Sequence, residues 1–437
     1  MEGKMTQKCA VVGGGAAGIK AASELRRRGA PDVTLFEKSD RLGGRIFSKS
    51  LDDEAGVAEL GAGRFNPSEH VRLQGLVDQY RLSTKIFSFP LQPLQRGLHK
   101  LSLKLLKSFC QDLGAYHSSL SALERQRMTL EDAALASIGK YKFACLVTMA
   151  GYDTLQNPHM TFDDGYQLLK HHPETCGLFD GEATEWMAFS DGFTALTEAM
   201  IGEVENDVTI ALEHELTEVT ARKGGGYTLG FETPDRRRTH GFDKVVFAMP
   251  IWSIPKLRGL SMSSFFRKSI TPVPLTKAYF AYANRWWADM GVEGRCFSSE
   301  SMFRKVYFPT DGNYVLIYND GESAETLHQA FGNDRNIHTA FVEAVRDHLP
   351  FALAPEVIPK PVDADHQFWP EGISFWRSGI TFVGAGFWPI DDDACVCSDL
   401  FTEHLGWVEG ALESAERGVA HLYPNDATYM PAAVAAS

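Results

Sequence analysis

The chain has 437 residues, with 43 Lys and Arg against 56 Asp and Glu and a formal net charge of -13. That length allows two or three domains, two intertwined ones being the expectation, and the acidic balance repels polyanions at long range, which excludes nucleic acid or an anionic membrane as a general partner. Seven cysteines, an odd number scattered from Cys9 to Cys397, make no disulfide framework, and Cys395-x-Cys397 has no partner pair at zinc-ligand spacing; with no apolar core in Met1–Lys8 and no membrane-length apolar run, a cytoplasmic protein without a metal is expected.

Lys8-Cys9-Ala10-Val11-Val12 reads as a strand entering the G-x-G-x-x-G turn Gly13-Gly14-Gly15-Ala16-Ala17-Gly18, with a helical stretch over Ala21–Arg28. Gly13 permits the tight turn, Gly15 beside Ala17 lets backbone approach a pyrophosphate, and Gly18 lets helix pack on strand. The helix N-terminus offers free N–H groups and the positive end of its dipole to the phosphates. The next strand, Asp32–Glu37, ends on an acid followed by Lys38, and Glu37 stands where such units place a carboxylate for the adenosine ribose. After it, Asp40-Arg41-Leu42-Gly43-Gly44-Arg45 sets a glycine pair between arginines. Gly43 and Gly44 permit close approach and Arg45 offers a forked donor. This element resembles the second phosphate clamp of the FAD-dependent amine oxidase superfamily.

A further close backbone approach is expected at Gly61-Ala62-Gly63-Arg64, followed by a leucine-rich pattern with helical spacing from Val71 to about Ala136, interrupted by Lys100, Lys104 and Lys107. Asp191-Gly192-Phe193 predicts a turn before another helix. Strands are expected at Val208–Ile210, Glu215–Arg222, Tyr227–Phe231 and Lys244–Ala248, then at Lys277–Asn284 and Tyr314–Asn319, before a helix at Asn336–Leu349. Ile380–Gly384 and Ala394–Ser398 read as strands, and Trp407–Leu422 as a helix stopped by Pro424. The fold class is α/β: a discontinuous Rossmann-like FAD-binding domain from residues 1–70, 205–260 and 375–425, and a mixed α+β substrate-binding domain, including a helical part, from 71–204 and 261–374. Residues 426–437 are expected to be a mobile tail.

Val396–Ala411, with Asp399, Trp407 and Val408, is the third element that resembles the flavin amine oxidases. Within that superfamily the chain is similar to the bacterial L-tryptophan oxidases of violacein biosynthesis, through Glu59–Phe65, Gly151–Asp153, His172-Pro173-Glu174, Trp286-Trp287, Arg304–Phe308 and Thr402–Gly410. The resemblance implies an FAD-dependent L-amino-acid oxidase acting on tryptophan or another aromatic L-amino acid, with hydride transfer from Cα to flavin N5, an imino acid as product and O2 reoxidation to H2O2. It implies that Arg64 and Tyr318 anchor the substrate carboxylate and that Lys277 holds a water at N5. Tyr152, His172 and Trp407 would line the pocket, His172 polarising it or accepting an amine proton. Asp399 would bind the ribityl chain or pyrophosphate, the helix after Trp407 would face the flavin, and the Leu216 backbone would hold the adenine edge. No cysteine between Phe368 and Pro389 suits a covalent link, so the FAD is expected to be non-covalent. A homodimer and a downstream imine-coupling enzyme are expected partners. Two other readings stay open here: an amine or polyamine oxidase in which Arg64 is structural, and a non-oxidising flavin-bound isomerase or scaffold.

Overall fold

The computed structural model describes residues 7–51, 55–90, 103–172, 174–179, 185–260, 262–333, 336–348, 358–380 and 385–424. Its central sheet has six strands in the order Trp388–Pro389, Ala394–Val396, Lys244–Phe247, Lys8–Val12, Asp32–Phe36, Thr209–Ala211, all parallel except the first pair. The N-terminal strand is buried on both faces, as a central parallel strand must be. Its alternation splits it between two cores. Cys9 and Val11 join the helices Ala16–Arg27, Val71–Tyr80, Thr194–Val204 and Val408–Leu422. Ala10 and Val12 join Leu216, Phe231 and Phe242 of an antiparallel three-stranded sheet.

That second sheet comprises Glu215–Ala221, Tyr227–Glu232 and Arg238–Phe242. Its last strand carries no period-two signal in the sequence, because it lies at an edge with Thr239, His240 and Gly241 exposed. A third sheet is antiparallel, in the order Arg295–Ser298, Lys305–Phe308, Tyr314–Asp320, Ile270–Ala281, Asp363–Trp376. Ala278, Phe280 and Ile317 pack beneath the helices Gly321–Asn333 and Ile337–His348. The other face carries Lys277, Tyr279, Tyr307, Leu316 and Tyr318, and lines a cavity.

The leucine-rich stretch is not one helical run. Arg81 adopts a left-handed backbone (φ 55°), which ends the helix at Tyr80, and Thr84–Ile86 pairs as a short strand with Met187–Phe189. The helices Leu103–Ser119, Leu130–Ser137, Lys140–Ala150 and Phe162–Lys170 then build a separate core with the short helix Ala122–Arg127 outside it, and Ser121, Thr129 and Thr161 side chains cap three of the five. The strand expected at Ile380–Gly384 does not include Ile380, and its remaining four residues lie outside the described ones, as does the tail 426–437. Ala394–Val396 ends early because Ser398 turns the chain, its Oγ accepting from the Leu400 amide at 3.3 Å. No described helix is long and apolar enough to cross a membrane. All seven cysteines are free thiols, and no group of three or more metal-ligating side chains occurs among the described residues.

Candidate active site

One cavity of about 940 Å³ runs from the glycine turn of the first strand to the polar face of the third sheet. Two glycine loops meet at its first end: the Gly43 amide donates to Gly14 O at 2.8 Å, and a Cβ on Gly15 would find nothing closer than Gly44 Cα at 3.9 Å. Gly13 needs its positive φ of 108°, and a Cβ there would press 2.5 Å from Ala248 O. Gly18 does not reach the cavity. Its role is packing, since a Cβ would fall 1.7 Å from Gly13 O.

Gly13, Gly15, Ala17, Glu37, Lys38, Gly43, Gly44, Arg45, Gly61, Ala62, Gly63, Leu216, Asp399, Trp407 and Val408 all line the cavity. Glu37 accepts from the Gly14 amide at 2.7 Å and from the Ser39 amide at 3.0 Å and hydroxyl at 2.8 Å, which leaves a carboxylate lone pair for a ribose hydroxyl. Arg45 does not present a free fork. Nη1 donates to Gly372 O at 2.5 Å and Nη2 to Asp399 Oδ1 at 3.2 Å, so two residues expected to bind cofactor bind each other and pin the second glycine loop. The helix Ala16–Arg27 starts after Gly15 with no side-chain cap and no acid in its first turn, and Val408–Leu422 starts after Trp407, also without a side-chain cap. Glu409, in the second helix's first turn, is turned away to accept from the Arg72 and Leu73 amides. Both helix starts therefore offer amide hydrogens and a positive dipole end to an anionic group in the cavity. A pyrophosphate-bearing dinucleotide fits these glycine-walled, uncapped ends.

At the other end, register sets the side chains. Lys277, Tyr318 and Lys305 stand directly opposite one another on adjacent strands and so share one face. Arg64 enters between them and the His172 loop, with Nη2 3.0 Å from His172 Nδ1 and 3.4 Å from Tyr152 Oη, and Nη1 3.4 Å from Glu174 Oε1. Burial opposes its charge, but Glu174 and the surrounding tyrosines more than offset that and raise its pKa. Tyr318 meets Tyr152 edge-on, ring centroids 5.8 Å apart. Tyr152 lines the cavity, yet its hydroxyl is 2.5 Å from His172 Nδ1 and donates to Glu174 at 3.0 Å, while Lys305 Nζ lies 3.5 Å from its ring centroid.

His172, not His171, faces the cavity; His171 turns outward to Glu69 at 3.1 Å. Burial, reinforced by Arg64, pushes His172 down to about 3. That direction disfavours a proton on His172 and weighs against its accepting one from a substrate amine. Lys277 donates to Gly61 O at 2.5 Å, and burial together with Arg64 lowers it to about 7, while burial raises Glu59 to about 6. Trp407 sits half-buried against Trp186 and His70, each 5.0 Å away.

Glu59, Glu174, Lys305 and Tyr307 join the site without a sequence motif of their own. Glu174 lies two residues past His172, and Lys305 and Tyr307 alternate on one strand, which is the signal available for a shared face.

The family described as flavin containing amine oxidoreductase matches residues 16–422. Over nearly its full length the chain is similar to aplysianin-A of Aplysia kurodai (22% identical, 94% of this chain, 89% of the relative) and to achacin of Lissachatina fulica (22%, 95% and 92%). A local match to the tryptophan 2-monooxygenase of Pseudomonas savastanoi is 47% identical over 68 residues but spans 15% of this chain and 12% of that protein. The fold is that of cyclohexylamine oxidase from Brevibacterium oxydans IH-35A (TM-score 0.71, 15% identical, 96% of this chain and 99% of that one) and of putrescine oxidase (TM-score 0.73, 16%, 96% and 99%). With the paired glycine loops, the uncapped helix starts and a match over residues 16–422, the chain belongs to the flavin-containing amine oxidoreductases, and its cofactor is FAD.

Proposed function

We propose that the chain is an L-amino-acid oxidase acting on tryptophan or another aromatic L-amino acid. The observation that carries this reading is charge. Arg64 lines the inner end of the cavity with 11% of its side chain exposed, Lys305 lies fully buried off the cavity, and both reach the carboxylate of Glu174. Beside Lys277 and Glu59, which offset each other, Arg64 and Lys305 set two cations against the single carboxylate of Glu174, and a substrate carboxylate would balance the count.

In this reading Arg64 grips the α-carboxylate with Tyr318 beside it, fixing the α-carbon, while Tyr152 and Glu174 hold the guanidinium in place. FAD, when bound, supplies the hydride-accepting chemistry. Lys277, poised near neutral pH and anchored on Gly61 O, holds a water or exchanges a proton next to the reacting centre. Phe87, Phe89, Leu405 and Trp407 supply apolar wall for an aromatic side chain. The product is the imino acid, with O2 reduced to H2O2. The local likeness to tryptophan 2-monooxygenases supports the aromatic preference.

One observation favours a second reading, an amine oxidase indifferent to carboxylate: Glu174 already pairs with Arg64 at 3.4 Å. Anaerobic mixing separates the two. L-tryptophan or L-phenylalanine should reduce the bound flavin faster than L-alanine, L-lysine, L-glutamate, tryptamine or phenethylamine, and the D-enantiomers should fail. Faster reduction by the amines would establish the second reading, and no reduction by any of them, nor by putrescine, would favour a non-oxidising role.

A further inference from the structure

Glu174 is fully buried and ringed by donors. Tyr307 donates to Oε1 at 2.6 Å, Tyr152 donates to Oε2 at 3.0 Å, and His172 Nδ1 lies 2.9 Å from Oε2. Arg64 approaches from the cavity side at 3.4 Å and Lys305 from the opposite side at 3.6 Å. Lys305 does not line the cavity. It stands behind Tyr152 with 0% of its side chain exposed, and its ammonium has no hydrogen-bond acceptor.

Its place is nonetheless built. The strand register sets it opposite Ser298 on one side and Tyr318 on the other. Gly151, left-handed at φ 69° after the helix Lys140–Ala150, leaves room for its stem, since a Cβ there would lie 3.2 Å from Lys305 Cε and 2.7 Å from Ser298 Oγ. A buried ammonium without hydrogen bonds is unfavourable compared with an apolar side chain of similar size. Packing alone therefore does not account for a charge at this position. Burial and Arg64 work against its charge, while the Glu174 carboxylate, the Tyr152 ring, Cys296 and Asp320 favour it.

We infer that Lys305 is a positioning residue that neutralises Glu174 from behind Tyr152, so that the charge of Arg64 stays uncompensated toward the cavity and available to an anionic substrate group. The inference rests on the proposed amino-acid oxidase reading. Without Lys305 the Arg64–Glu174 pair is neutral, and an entering carboxylate would bring a second negative charge close to Glu174.

The test uses the flavin-loaded enzyme with two probes of the same ring, 3-phenylpropanoate and 3-phenylpropanamide, their binding read from the flavin absorbance, alongside kinetics on L-phenylalanine. Lys305→Met is expected to weaken phenylpropanoate roughly tenfold or more and the amide less than about twofold, with KM rising more than kcat falls. Lys305→Met combined with Glu174→Gln removes both buried charges and should restore most of the preference for the carboxylate. Should the single variant fail to fold, the double variant decides: a preserved preference supports the inference and a lost one overturns it. Equal weakening of both probes by Lys305→Met, or no change in either, also overturns it. A wild-type enzyme that binds the amide as well as the carboxylate and oxidises amines would instead overturn the amino-acid reading, and the inference with it.

Discussion

Replacing Arg64 with lysine keeps a cation at the inner end of the cavity but removes the planar fork. The guanidinium spreads its contacts over three groups, with Nη2 at 3.0 Å from His172 and 3.4 Å from Tyr152 and Nη1 at 3.4 Å from Glu174, while Nε has no partner. An ammonium can hold Glu174 yet cannot also reach His172, Tyr152 and both oxygens of a ligand carboxylate. Losing one prong of a charge-assisted pair costs about 1.5–3 kcal/mol, and loss of orientation adds to it. The expected loss is thus about 2–4 kcal/mol in kcat/KM, or roughly 30- to 1000-fold. The assay is oxygen consumption with L-phenylalanine and, in parallel, phenethylamine, together with flavin content. Activity on the amino acid should collapse while any amine activity and the bound flavin persist. Near-normal turnover of L-phenylalanine by Arg64→Lys would refute the carboxylate grip and leave Arg64 as a partner of Glu174 alone.

Acid or heat should release yellow FAD into the supernatant; flavin that stays with the precipitate would refute non-covalent binding. Gly18→Ala should lose flavin and about 2–3 kcal/mol of stability, read by denaturant titration, because its Cβ would fall 1.7 Å from Gly13 O and force helix off strand. A variant with normal flavin content would show that the helix can shift freely. Lys277→Met should raise thermal stability, most strongly below pH 7. The folded state holds Lys277 down at about 7 against an ordinary value of 10.5, so below about 7 the folded protein carries the full burden of the buried charge, and between the two values it sheds the proton while the unfolded chain keeps it. The Tm difference from wild type should therefore shrink as pH rises from 7 toward 10, and a difference that grows with pH would refute the burial of a charged Lys277.

The cofactor end was legible because its rules are local. A glycine whose Cβ would strike a carbonyl, an acid at the end of the second strand and a period-two run are visible in a dozen residues each, and Gly13, Gly15, Glu37 and Gly43 all lie where those rules put them, on the cavity wall. The same locality explains the misses. Local sequence shows Arg45 as a forked donor but not its partner Asp399, which is 354 positions away. The strand Arg238–Phe242 is polar because it is an edge, and the break after Tyr80 depends on one left-handed residue, Arg81, that is not a glycine.

The reacting end was legible only residue by residue, because its chemistry is set by burial. The resemblance gives His172 a polarising or proton-accepting role, but only the fold encloses it between Tyr152, Glu174 and Arg64, where a second positive charge is disfavoured. Nothing local marks Lys305, whose side chain is 0% exposed against a carboxylate 131 positions earlier in the chain. Each of these groups has a meaning only in relation to the others. Glu174 makes Arg64 a salt bridge, Lys305 gives Glu174 a second counter-ion, and the surplus charge, which no single residue carries in its identity, is what turns a structural ion pair into a receptor for an anion.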